Sequence, residues 1–85
     1  MKTFEYIITD ELGIHARPTG ALVKEAKKFE SRITIQKDDK EVEATKLMAL
    51  MGLGVKCGDQ IVVKIEGADE DKAAEQMETF FKNNL

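Results

Sequence analysis

The chain has 85 residues, 42% apolar and 34% charged, and its 13 basic and 16 acidic side chains give a net charge of −3. That length supports one domain, 1–85, and the acidic balance argues against a nucleic-acid partner; no apolar stretch approaches the ~20 residues that insert into a membrane, and the N-terminal Met-Lys-Thr-Phe-Glu-Tyr lacks the apolar core of a secretion signal. One cysteine, Cys57, excludes an internal disulfide and fits a reducing cytoplasm, and with the single His15 it cannot assemble a four-ligand structural zinc site, so no metal or cofactor is expected.

Thr3 to Thr9 alternates through Phe4, Tyr6 and Ile8 and reads as a strand, with Ile7 as an apolar exception on the other face. A helix follows over roughly Ala16 to Phe29. At 100° per residue, Leu22, Val23, Ala26 and Phe29 share one arc, and Arg17, Lys24, Lys27 and Lys28 share another with Gly20 between them. Ser31 to Lys37 repeats the strand pattern through Ile33 and Ile35. The polar turn Lys-Asp-Asp-Lys at 37–40 leads into Glu41 to Ala44, making a hairpin. Lys46 to Leu53 fits one or two helical turns ended by Gly52 and Gly54; the spacing of Leu47, Leu50 and Met51 predicts that at least half of it is core, with Met48 exposed. After the turn at Cys57-Gly58-Asp59, with Cys57 read as a small packing residue, Gln60 to Glu66 places Ile61, Val63 and Ile65 on one face. The last segment, Asp69 to Asn84, is a helix with Asp69 as its expected N-cap and Ala73, Met77, Phe80, Phe81 and Leu85 on its core face.

The order β-α-β-β-α-β-α with one apolar face per strand predicts an α/β (α+β) open-faced sandwich, a sheet covered on one side by helices. Pattern alone leaves the pairing order open, with a ferredoxin-like arrangement as the competitor.

Gly13-Ile14-His15-Ala16-Arg17-Pro18 lies where the loop after the first strand becomes the first helix. Proline is tolerated in a helix's first turn, which puts His15 at or near the N-cap. The free N–H groups of Ala16 and Arg17, the helix dipole and the Arg17 guanidinium then suit an anion, and the same positive end favours a neutral, nucleophilic imidazole. The chemistry read from these residues is a histidine that accepts a phosphoryl group. The plainer reading is a surface or capping histidine beside a solvated arginine.

This hexapeptide resembles the active-centre signature of the HPr family, the histidine-containing phosphocarriers of the bacterial sugar phosphotransferase system. Lys46-Leu47-Met48-Ala49-Leu50-Met51-Gly52-Leu53-Gly54-Val55 resembles that family's regulatory segment, and Gly58, Gly67-Ala68-Asp69-Glu70 and the length agree with it. The resemblance implies a four-stranded antiparallel sheet in the order 1-4-2-3 with three helices on one face. It also implies that His15 takes phosphoryl on Nδ1 from phospho-enzyme I and passes it to enzyme IIA domains, making the chain a cytoplasmic, monomeric carrier rather than an enzyme. Arg17 would stabilise the phosphorylated ring, Ala16 and Pro18 would form the helix start, and partners would dock on Gly20, Leu47, Met48 and Met51. The Lys24, Lys27 and Lys28 stripe reads either as a solvated helix face or as a steering surface for acidic partners.

Two positions depart from the pattern. Many members, especially from Gram-positive bacteria, open the second helix with a serine that a dedicated kinase phosphorylates; here Lys46 stands there, with Thr45 adjacent but turned roughly 100° away, so regulation at that position is expected to be absent or altered. Leu12 replaces the Ser or Asn often found beside the histidine, removing one potential phosphate contact. Two rival readings remain: a regulatory module that signals by phosphohistidine without feeding transport, and a ligand- or RNA-binding module, which scarce aromatics disfavour.

Overall fold

Rows of cross-strand neighbours organise the molecule. The computed structural model describes residues 1–11 and 18–85 in full and the backbone of Ala16 and Arg17. Its elements are β1 (Lys2–Ile7), α1 (Ala16–Ala26), β2 (Arg32–Lys37), β3 (Lys40–Glu43), α2 (Leu47–Gly52), β4 (Gln60–Glu66) and α3 (Glu70–Asn84). The four strands pair antiparallel in the order β1-β4-β2-β3, which closes the question that pattern left open. Register aligns Phe4, Val63, Ile35 and Val42 in one row, with Tyr6–Ile61 and Ile65–Ile33 flanking it. Partners in an antiparallel ladder point to the same side, so these rows form the apolar face that the helices cover.

The opposite face carries Thr3–Lys64–Thr34–Glu43 and Glu5–Val62–Gln36–Glu41. It is tied by ion pairs of Lys64 with Glu41 (3.1 Å) and Arg32 with Glu43 (3.3 Å). Ile7 lies on this side and is 57% exposed, as its phase in the strand predicts. The aromatics Phe4 and Tyr6 instead pack inward, their rings edge-on to Phe81 at 5.9 and 5.5 Å. The open face therefore offers no stacking platform for bases among the described residues.

α3 covers the sheet with Ala73, Met77 and Phe81, spaced four residues apart and all buried. α1 contributes Leu22 and Ala26, together with Thr19, a fully buried residue that the apolar pattern does not reveal. Val23 and Phe29 flank this core, partly buried.

Several element ends differ from the sequence reading. β3 runs one residue earlier, because Asp38, with φ of 55°, and Asp39 form the whole turn and Lys37 pairs with Lys40. α1 ends at Ala26 rather than Phe29: Lys28 and Phe29 donate to carbonyls three residues back, and the next two N–H groups turn away. Those two groups, on Glu30 (3.0 Å) and Ser31 (2.9 Å), donate to the carboxylate of Asp69, as does the Ser31 hydroxyl. Asp69 does occupy the N-cap of α3, but its side chain makes no cap bond; it binds the start of β2 instead. Glu70 accepts the N–H of Gly67, in the turn before the helix, at 3.3 Å while pairing with the Met1 ammonium at 2.9 Å.

Candidate functional site

The far end of the sheet from Asp69 is where β1 exits and where β4 begins, since Ile7 pairs with Gln60 and Lys2 with Ile65. Two backbone hydrogen bonds extend that ladder by one step: Ile8 N–H to the Asp59 carbonyl (3.0 Å) and Gly58 N–H to the Ile8 carbonyl (2.8 Å). The next residues are held by the end of α3. Thr9 N–H (2.6 Å), Asp10 N–H (2.8 Å) and the Thr9 hydroxyl (3.0 Å) all donate to the Leu85 carbonyl oxygen. The chain is thus pinned immediately before residues 12–15, and α1 opens at Ala16, the residue that follows His15 in sequence.

His15 and Leu12 lie outside the described residues, as do the side chains of Ala16 and Arg17; the backbone of these last two forms the first turn of α1. Pro18 is half-buried in that turn, where its missing N–H leaves no helix bond unmade. Gly20 follows, half-buried, and a Cβ built on it would meet nothing within 4 Å, so the surface above it is open. Lys24 stands one turn further along the same stripe, exposed. Among the lysines of this helix side, Lys28 is engaged with Glu25 at 3.3 Å, while Lys24 and Lys27 enter no ion pair among the described residues.

α2 packs beside α1. It has one buried side chain, Leu50, which is fully enclosed. Met48 is 77% exposed, Leu47 40% and Met51 38%. The expectation that at least half of this segment is core therefore needs correcting: a six-residue helix makes fewer than two turns, and of residues 46–53 only Leu50 and Leu53 are buried in the core. Three large apolar side chains of one short helix are thus left in part to solvent, two of them methionines, whose unbranched side chains repack readily. Lys46 precedes them at the N-cap, extended and exposed, with no side-chain cap bond.

The loop joining α2 to β4 completes this end. Cys57 is exposed rather than packed, its thiol 3.8 Å from the Thr9 carbonyl. Asp59 accepts the Lys56 N–H at 2.8 Å and the Lys37 ammonium at 3.0 Å, and those two contacts hold its carboxyl below the ordinary aspartate range. Sequence reasoning missed Thr9, Lys37, Asp59 and Leu85; the only local signal was the Gly58-Asp59 turn. Among the described residues no cluster of His, Cys, Asp and Glu could hold a metal ion, and no helix is long and apolar enough to cross a membrane.

Residues 2–83 match the family described as the PTS HPr component phosphorylation site. The chain belongs to the HPr family. It is 40% identical over 79 residues to the phosphocarrier protein HPr of Lysinibacillus sphaericus, covering 93% of this chain and 90% of that protein. An HPr structure from Thermoanaerobacter tengcongensis superposes with a TM-score of 0.93 at 36% identity, covering 99% of this chain and 94% of that one. A mycoplasma histidine-containing phosphocarrier does so with the same score and identity over 96% and 93%. The HPr-type sheet order, three-helix layer and near-complete coverage agree, so the chain is a phosphocarrier of the phosphotransferase system. As an HPr it is a shared protein substrate of other components, not an enzyme with turnover of its own.

Proposed function

We propose that His15 is the phosphoryl acceptor and donor of this HPr, with Arg17 as the group that stabilises the phosphorylated ring. The Nδ1 lone pair attacks phosphorus of phospho-enzyme I; the new N–P bond forms as the bond to the donor breaks, and the reverse chemistry hands the group to an enzyme IIA domain. Free N–H groups at the start of α1 and the helix dipole favour the transferred dianion, and a bidentate guanidinium adds two charge-assisted hydrogen bonds. Partners dock on Gly20, Leu47, Met48 and Met51, with Lys24 steering acidic surfaces toward the rim. This transfer takes place in the cytoplasm, with the carrier acting as a monomeric single domain.

One observation carries the reading: the exposed apolar side chains of α2 lie on the helix packed beside α1, the helix that begins directly after His15. Incubation with enzyme I and phosphoenolpyruvate, followed by intact mass, tests it. One acid-labile phosphate is expected on the wild type and none on His15→Ala. No phosphate on the wild type, or one that survives the substitution, would refute it.

A further inference from the structure

Lys37 ends β2 on the hairpin side, away from both helices of the docking face in sequence, yet its ammonium reaches two separate segments of the site. It donates to the Gly54 carbonyl at 2.9 Å and pairs with Asp59 at 3.0 Å. Gly54 directly follows the C-cap of α2 and donates its N–H to Met51. Asp59 closes the turn begun at Lys56, whose N–H it accepts through its side chain and whose carbonyl it caps through its own N–H. The carbonyl of Asp59 then receives Ile8, the last residue before the Thr9–Asp10 anchor.

The loop between these contacts needs a restraint. Gly54 and Gly58 adopt φ of 67° and 91°, backbone angles open mainly to glycine, so the segment has a freely adjustable residue near each end. Buried Leu53 and Val55 anchor one side of the loop and the Ile8 contacts of Gly58 and Asp59 the other. Lys37 adds the side-chain tie from the end of β2 to both sides, with most of its side chain sheltered from solvent.

We propose that Lys37, acting through Asp59 and the Gly54 carbonyl, is a positioning residue for phosphotransfer, fixing the α2 docking face relative to the segment that carries His15. The inference rests on the assignment of His15 and the docking face given above. Lys37 touches no phosphate in this scheme, so its loss alters how the partner is met rather than the chemical step.

Lys37→Met keeps the side chain's length and removes its charge; Asp59→Asn removes the other partner, and Lys37→Arg retains the pair. Two readouts are needed: kcat and KM of each variant as substrate of enzyme I, and amide hydrogen exchange at Ile8, Lys56 and Gly58 against the Ile33–Ile65 ladder as internal reference. In Lys37→Met and Asp59→Asn those three amides should exchange faster, and KM should rise roughly three- to tenfold with kcat changed by less than about twofold. Lys37→Arg should restore both. The proposal is overturned if the amides loosen while KM stays within about twofold of wild type, if KM rises with exchange unchanged, or if Lys37→Arg is as impaired as Lys37→Met. A wild type that takes no phosphate overturns the His15 assignment and this role with it, an outcome the exchange data keep separate from a failure of the loop restraint.

Discussion

Gly67→Ala should destabilise the fold far more than a methyl group ordinarily does. A Cβ on Gly67 would lie 2.6 Å from the Cα of Ser31, 2.8 Å from its Oγ and 3.0 Å from its Cβ. Carbon atoms pack at about 3.5–4 Å, so the two segments must part by roughly 1 Å, and the nearest obstacle is backbone. Ser31 cannot retreat freely, because its N–H and hydroxyl and the adjacent Glu30 N–H are all held by Asp69, two residues from the new methyl. Overpacking of this kind costs about 1–3 kcal/mol, and φ of 155° adds strain of about 1–3 kcal/mol for a residue with a Cβ. Together these give about 2–6 kcal/mol, so Tm should fall by at least roughly 8 °C, at about 4–8 °C per kcal/mol in a domain of this size. Urea unfolding should show a lower midpoint at unchanged slope. Gly20→Ala is the control, since its methyl meets nothing and should stabilise α1 by about 1 kcal/mol. β4 separates Gly67 from the site by about 20 Å, so the Gly67 variant, assayed while folded, should still accept phosphate at the normal rate. A loss below about 0.5 kcal/mol, the range of neutral surface changes, would show that the Ser31 backbone yields and would refute the steric reasoning.

The Asp69 carboxyl is held below its ordinary value of 3.8 by the Ser31 hydroxyl first and then by the Glu30 N–H, so its contribution is fully present above 3.8 and lost as pH falls through the lower folded value. Asp69→Asn should therefore be less stable at neutral pH and lose less on acidification below 3.8, whereas parallel Tm–pH curves for variant and wild type would count against it. Met48→Glu, at a 77% exposed position, should leave stability within about 0.5 kcal/mol while raising the KM of enzyme I about tenfold; an unchanged KM would remove Met48 from the docking face. Serine-directed HPr kinase with ATP should leave the wild type unmodified and phosphorylate Lys46→Ser. Phosphate on Thr45 of the wild type, detected by peptide mass, would contradict this.

Alternation served where one face of an element is buried along its whole length. β4 runs from Gln60 to Glu66 as read, because Ile61, Val63 and Ile65 all meet the helical layer. The same logic failed for α2: periodicity reports what a stripe could bury, not whether anything lies opposite, and Leu47 and Met51 face solvent. The end of α1 was illegible for another reason. The carboxylate that diverts Glu30 and Ser31 comes from Asp69, almost 40 residues later, and no local propensity encodes that encounter. His15 and Arg17 were singled out through a contiguous motif and lie, with their side chains, outside the described residues. Thr9, Lys37, Asp59 and Leu85 act through contacts between distant segments, each carried by a residue type that is ordinarily a solvated surface group or a chain-end apolar residue.

The two ends of the sheet solve different problems with similar chemistry. At the Gly67 end a carboxylate binds the chain where α1 gives way to β2, and the contact is close enough that glycine is required. At the Ile7 end a carboxylate on the opposite terminus of the same strand, Asp59, binds an ammonium instead, and the neighbouring glycines face open space. The first arrangement is sterically locked; the second relies on polar contacts of the partly sheltered Lys37 and Asp59, with no close steric fit at its glycines. A carrier that must fit a donor and then an acceptor benefits from that asymmetry. The sheet and α3 supply the stability through a continuous core, which leaves α2 free to present apolar surface above a single buried anchor, Leu50.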